Sequence, residues 1–100
     1  MEHSSRDGML QRVREIVLSE LGECSAKIYL FGSWARGTES QSSDIDIAID
    51  WSNGLAAPLA TLREVLEEST IPYRIDVVDL AEADVVFVEK VQKEGVLWKG

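Results

Sequence analysis

Apolar and polar positions along the chain follow two periods, one of about 3.6 residues and one of two. Leu10, Val13, Ile16, Val17 and Leu21 recur at helical spacing and predict a helix from about Arg6 to Leu21, with Gly22 as its stop. KIYLFG then packs Ile28, Tyr29, Leu30 and Phe31 into a short apolar run ending at a glycine, which reads as a buried strand. The polar stretch ARGTESQSS reads as a connecting loop. In DIDIAIDW the period changes to two: Ile45, Ile47 and Ile49 share one face, and Asp44, Asp46, Ala48 and Asp50 share the other. WSNG reads as a turn. Leu55, Leu59, Leu62, Val65 and Leu66 return to helical spacing, with Pro58 tolerable only near the helix start.

YRIDVVDL is β-branched and predicts a third strand, in which Asp76 lies mid-strand and Asp79 at the end. AEADVVFVEKVQKEG mixes a strand-like VVFV with helical length and a terminal glycine. It is read as a helix from about Ala81 to Glu94, followed by a short edge strand VLWK. Two consecutive strands without a long helix between them argue for a mixed sheet of about four strands packed by helices, an α+β fold, over a doubly wound parallel one. One hundred residues suit one domain, residues 1–100, with a single core.

Charge narrows the chemistry. The net charge is −8, from 18 acidic and 10 basic residues, and the basic residues form no stripe. A protein gripping long nucleic acid carries such a stripe, so a template-bound polymerase is not expected. An acidic chain can still bind a nucleotide when a divalent cation stands between its carboxylates and the phosphates. It also suits a basic protein partner. The opening MEHSSRDG lacks the apolar segment of a secretory signal, no apolar run is long enough for a membrane span, and Cys24 is the single cysteine. A reducing cytoplasm is the expected location.

Two features carry the candidate chemistry. Asp44 and Asp46, two apart on a strand, project from one face at roughly 6–7 Å, close enough to converge on one or two hard cations. The ordinary alternative is the wet face of an antiparallel sheet, where such alternation is common. Ahead of them, Gly32 and Ser33 end the first strand. Gly32 allows close approach to a ligand, and Ser33 offers a hydroxyl and an amide suited to phosphate; the plain alternative is a strand-to-helix turn with Ser33 as cap. Together the two elements could hold a metal-bound nucleoside triphosphate. That reading calls for a third carboxylate, and Asp76 is preferred to Asp79, which suits a helix cap.

The residues GSWARGTESQSSDIDIAID, continued by RIDVVDL, resemble the minimal nucleotidyltransferases of the DNA polymerase β-like superfamily. In that pattern a Gly-Ser turn is followed by ten residues, here Trp34 to Ser43, then Asp-x-Asp, and later by an aspartate on another strand. The resemblance implies the palm-like nucleotidyltransferase fold and transfer of a nucleoside monophosphate, AMP from ATP, to a hydroxyl with release of pyrophosphate. It implies that Asp44 and Asp46 bind magnesium, in a two-ion site, and that Asp76 shares a metal and helps deprotonate the acceptor. Gly32 and Ser33 would hold the terminal phosphates. Arg36 matches the arginine of the same turn, free to meet either a phosphate or an acidic strand residue. Minimal members stand beside a helical HEPN-type ribonuclease toxin in toxin–antitoxin pairs, and the resemblance implies an antitoxin that attaches AMP to that protein. A non-catalytic module masking the toxin and a small-molecule transferase are the competing readings.

Other residues are expected to be structural. Trp34 is read as core in preference to a platform for a base, whereas Trp51 and Trp98 are equally suited to core and to an exposed partner anchor. Cys24 is read as inert and His3 as non-catalytic. Glu64, Glu67 and Glu68, and likewise Glu89, Lys90, Lys93 and Glu94, are read as solvated helix faces. Asp50 lies too far along its strand to join the site.

Overall fold

A computed structural model describes residues 5–22, 26–38, 43–51 and 59–99 of the chain. Cys24, His3, Leu55 and Pro58 lie outside the described residues, as does the expected turn at WSNG beyond Trp51. The element order is α1 (Ser5–Leu21), β1 (Lys27–Phe31), α2 (Ser33–Arg36), β2 (Ile45–Asp50), α3 (Leu59–Glu68), β3 (Ile75–Asp79), a 3-10 turn (Leu80–Glu82), α4 (Val85–Glu94) and β4 (Val96–Lys99). Among the described residues the four strands form one sheet in the order β3-β2-β1-β4. β1 is antiparallel to both β2 and β4, and β2 is parallel to β3. The expected mixed α+β sheet is therefore present, with VLWK at its edge.

Period two in β2 builds two cores at once. Ile45, Ile47 and Ile49 are fully buried with Val13, Val17 and Leu21 of α1, Ile28 and Leu30 of β1, and Leu62 and Leu66 of α3. On the opposite face a smaller cluster joins Tyr29, Ala48, Leu80 and Val91, with Phe31, Val78, Phe87 and Val88 packed around it. Helices α1 and α3 thus cover one side of the sheet and α4 the other. The isoleucines stabilise the larger core by about 2–3 kcal/mol each through area removed from water.

One expectation needs correction, and one open choice is settled. The last helix begins at Val85, not Ala81, because two aspartates divide the segment. Asp79 accepts from the Ala81 amide at 2.9 Å and starts the 3-10 turn, and Asp84 accepts from the Phe87 amide at 2.8 Å and caps α4. Trp51 is no exposed anchor: it is buried in the larger core, against which the half-buried Trp98 also packs. At the far end of α4, Gly95 donates to the Val91 carbonyl at 2.7 Å and brings the chain directly into β4. A side chain there would meet the Leu30 carbonyl at 3.2 Å, so glycine permits the close approach of β1. No described helix is long and apolar enough to cross a membrane.

Candidate functional site

The face that carries the smaller core changes character towards one end of the strands. Register partners across the sheet are Tyr29 and Ala48, then Phe31 and Asp46, and Asp46 in turn is the partner of Asp76. Adjacent strands lie about 4.8 Å apart, so these side chains form a row of near neighbours on one face. Asp44, just before β2, is exposed; Asp46 is half-buried and Asp76 exposed. The register thus sets Asp76 beside Asp46, whereas the Asp79 carboxylate accepts from the Ala81 amide as a cap.

Gly32 ends β1 beside the row. Its φ of 78° and ψ of −157° fall in a region essentially reserved for glycine. A β-carbon at this position would stand 2.3 Å from Asp46 Oδ2. The backbone of the Gly-Ser turn therefore lies directly against the carboxylate of the second aspartate, and the two halves of the motif form one site. Gly32, not Ser33, occupies the position before the helix; its carbonyl accepts from the amides of Ala35 and Arg36 at 3.1 and 3.2 Å. Ser33 is the first residue of α2 and is half-buried.

Trp34 holds the pieces in place. Buried at 2% exposure, it stands edge-on to Tyr73 with ring centroids 4.9 Å apart. Its Nε1 donates to the Ser43 carbonyl at 3.3 Å. One side chain thus links the Gly-Ser turn to the residue before Asp44 and to the segment entering β3. Trp34 is core, as expected, and the sequence concealed its role as the strut between all three motif segments.

Electrostatics mark Asp46 as the strained member. Burial of its carboxyl raises its pKa above the ordinary carboxylate value, and the charges of Asp76 and Asp44 raise it further, while Arg36 pulls it down. Arg36 therefore lies within reach of the acidic strand. Among the described residues no three His, Cys, Asp or Glu side chains converge as a ready-made metal cage. Magnesium seldom asks for one: it takes one or two carboxylates and keeps waters and phosphate oxygens as its other ligands. An all-carboxylate donor set, mutually repelling and pressed against a backbone turn, fits such a cation, and Asp44, Asp46 and Asp76 are the residues that could hold it.

Two cavities border the site, one towards each face of the sheet. A cavity of about 370 Å³ lies between α3 and the β3 edge, lined by Arg63, Leu66, Glu67, Tyr73, Ile75 and Val77 and touched by Asp76. Arg63 donates to the Val77 carbonyl at 2.8 Å, closing part of the β3 edge. A second cavity, about 130 Å³, extends from Gly32 and Arg36 to the α4 side chains Phe87, Lys90 and Glu94. Sequence reasoning missed Phe87, Lys90 and Glu94 as site neighbours. Their spacing placed them on one stripe of a helix, but nothing in the sequence said which sheet face that stripe would meet.

Comparison with known proteins bears on the same residues. The family described as "Polymerase beta, Nucleotidyltransferase" matches residues 19–99. The protein adenylyltransferase MntA of Shewanella oneidensis is 38% identical over an alignment of 79 residues that covers 71% of this chain and 52% of that protein. The chain thus spans about half the length of this curated relative. A crystal structure of a toxin–antitoxin complex with AMP-PNP superposes with a TM-score of 0.69 at 32% identity, covering 87% of this chain and 73% of the other. A structure of the tri-AMPylated Shewanella oneidensis HEPN toxin with its MNT antitoxin gives 0.66 at 26% identity, covering 95% and 72%. The matched span runs from the end of α1 to β4 and so contains the Gly-Ser turn and the whole aspartate row, and on this ground the chain belongs to the polymerase beta nucleotidyltransferase family.

Proposed function

We propose that the chain is a magnesium-dependent nucleotidyltransferase that moves AMP from ATP to a hydroxyl on a protein partner, and that the partner is a helical HEPN-type toxin for which it is the antitoxin. The observation that carries this reading is the packing of Gly32 against Asp46, with Asp76 as the register partner of Asp46 on the next strand. It is supported by the adenylyltransferase name of the MntA relative and by the complexes with AMP-PNP and with an AMPylated toxin. We read residues 1–100 as one minimal nucleotidyltransferase domain acting in the reducing cytoplasm.

In this reading Asp44 and Asp46 hold the cation, with Asp76 sharing it, and Gly32, Ser33 and Arg36 hold the phosphates. A cation held by these carboxylates would supply charge neutralisation of the triphosphate and Lewis-acid polarisation of its phosphoryl oxygens. Asp76, exposed beside the larger cavity, takes the proton of the acceptor hydroxyl as its oxygen bonds to the α-phosphorus. The bond from that phosphorus to the bridging oxygen breaks, and pyrophosphate leaves with the electron pair. Catalysis here is positioning and charge compensation, which the rigid turn and strands supply.

The test is incubation of the chain with the helical partner, magnesium and α-labelled ATP. Label on the partner is expected, and Asp46→Asn is expected to reduce its rate by about a thousandfold. A partner that stays unlabelled yet is neutralised equally by wild type, Asp44→Asn and Asp46→Asn would establish a masking module in place of an enzyme.

A further inference from the structure

Strand β3 closes the sheet order, so among the described residues it has a strand neighbour, β2, on one side only. Its backbone groups alternate between the two sides. The Arg74 carbonyl accepts from the Ile45 amide at 2.9 Å and so points to β2. Ile75 therefore directs its backbone groups to the open side, and so does Val77, whose carbonyl accepts from Arg63 of α3 at 2.8 Å. Side chains alternate as well. Ile75 and Val77 face the larger core, whereas Asp76 shares the opposite face with Val78 and with its register partner Asp46.

An extended chain laid along this edge meets two environments at once. Placed antiparallel, its residue opposite Ile75 exchanges two backbone hydrogen bonds. The residue opposite Asp76 then stands in a non-hydrogen-bonded pair, where β-carbons come within about 4.5–5.5 Å. Its side chain shares the face of Asp76 and Asp46. The residues on either side of it turn the other way, towards the cavity of about 370 Å³ between α3 and β3. The cavity has a buried apolar floor of Leu66, Ile71 and Val77. Arg63 stands exposed at its rim, beside Val77, and among the described residues has no carboxylate partner. In a chain of net charge −8, that arginine marks a local place for an acidic side chain.

We propose that the acceptor docks on this edge: an extended segment of the protein partner pairs antiparallel with β3 and sets its hydroxyl residue opposite Asp76. The residue before the acceptor, opposite Val77, carries a carboxylate for Arg63. The residue after it, opposite Ile75, is apolar. This assignment rests on the nucleotidyltransferase reading. In this register the acceptor hydroxyl gives its proton to Asp76 as its oxygen bonds to the α-phosphorus, and pyrophosphate leaves with the electron pair of the broken bond. Backbone pairing holds the segment whatever its sequence, while the α3-side cavity and Arg63 select among segments. A loop or tail of an otherwise helical protein can supply so short a stretch.

Short synthetic peptides centred on Glu-Tyr-Leu test it, incubated with the full chain, magnesium and α-labelled ATP alongside the intact helical partner. Tyrosine is the hydroxyl side chain that reaches furthest over the aspartate row, and label on it is expected. N-methylation of the leucine amide removes a bond to the Ile75 carbonyl and is expected to raise KM about fivefold. N-methylation of the tyrosine amide, which points away from β3, is expected to leave KM within about twofold. Replacing the peptide glutamate by glutamine is expected to raise KM about threefold with wild type and to have no effect with Arg63→Gln. Equal effects of the two methyl groups, or none from either, overturn the proposal. A glutamate effect that persists in Arg63→Gln overturns the register. Label on the intact partner with none on the peptide also overturns the proposal. Absence of label from both would overturn the nucleotidyltransferase reading itself, and this docking edge with it.

Discussion

The two faces of β2 show how one strand can serve stability and chemistry separately. On one face Ile45, Ile47 and Ile49 are fully buried between α1 and α3. On the other, one residue out of phase, only Ala48 is fully buried, and the smaller core ends at Phe31. Beyond it stand Asp46 and Asp76, carboxylates brought together at a cost in repulsion and desolvation. The first face resembles any well-packed sheet. The second carries an unfavourable carboxylate at Asp46, which Arg36 offsets in part.

Substitution on the apolar face should separate the two most sharply. Ile47→Ala is expected to lower unfolding free energy by about 2–5 kcal/mol, measured by urea denaturation, because a fully buried side chain leaves a cavity. If the faces are independent, the nucleotide affinity of the fraction that remains folded stays at the wild-type value. A loss of affinity in proportion to stability would mean that the faces are coupled.

Gly32→Ala probes the seam between turn and aspartate. The positive φ and the 2.3 Å approach to Asp46 Oδ2 both oppose a β-carbon. A loss of about 1–3 kcal/mol in thermal or chemical denaturation is expected, together with weakened nucleotide binding, since the carboxylate must move. Wild-type stability in this variant would contradict the seam.

The smallest effect has the opposite sign. Asp46 has its pKa raised in the folded chain, so the folded state binds its proton more tightly than the unfolded state does. That contribution is fully present at low pH and is lost as pH rises through the raised value, leaving an unfavourable ionised Asp46 at neutral pH. Asp46→Asn is therefore expected to raise the melting temperature of the ligand-free chain slightly at neutral pH. The gain should shrink as pH falls towards the ordinary carboxylate range. With magnesium and ATP the order should invert, because ligand stabilises wild type alone. A ligand-free Asp46→Asn variant less stable than wild type at neutral pH would contradict the picture of an unfavourable Asp46 carboxylate.

Much of this was legible in the chain. Period two in DIDIAIDW assigned Ile45, Ile47 and Ile49 to one side and Asp44 and Asp46 to the other, and the third strand followed from the β-branched run around Asp76. These are local signals, carried by residues a few positions apart. Trp51 and the start of α4 were not legible in the same way. The first depended on how far the larger core extends. The second turned on two aspartate caps competing within six residues.

The sequence by itself determined the mixed α+β sheet, the aspartate pair and the Gly-Ser turn, because strand period and motif spacing are properties of the covalent chain. Only the tertiary structure decided that Asp46 and Asp76 are cross-strand partners, since parallel register depends on how β3 docks beside β2. It also decided that Trp34 braces all three motif segments and that Lys90 faces Gly32 and not solvent alone. Each is a contact between residues distant in sequence, set by how strands and helices dock on the two faces of the sheet, and no local pattern encodes that choice.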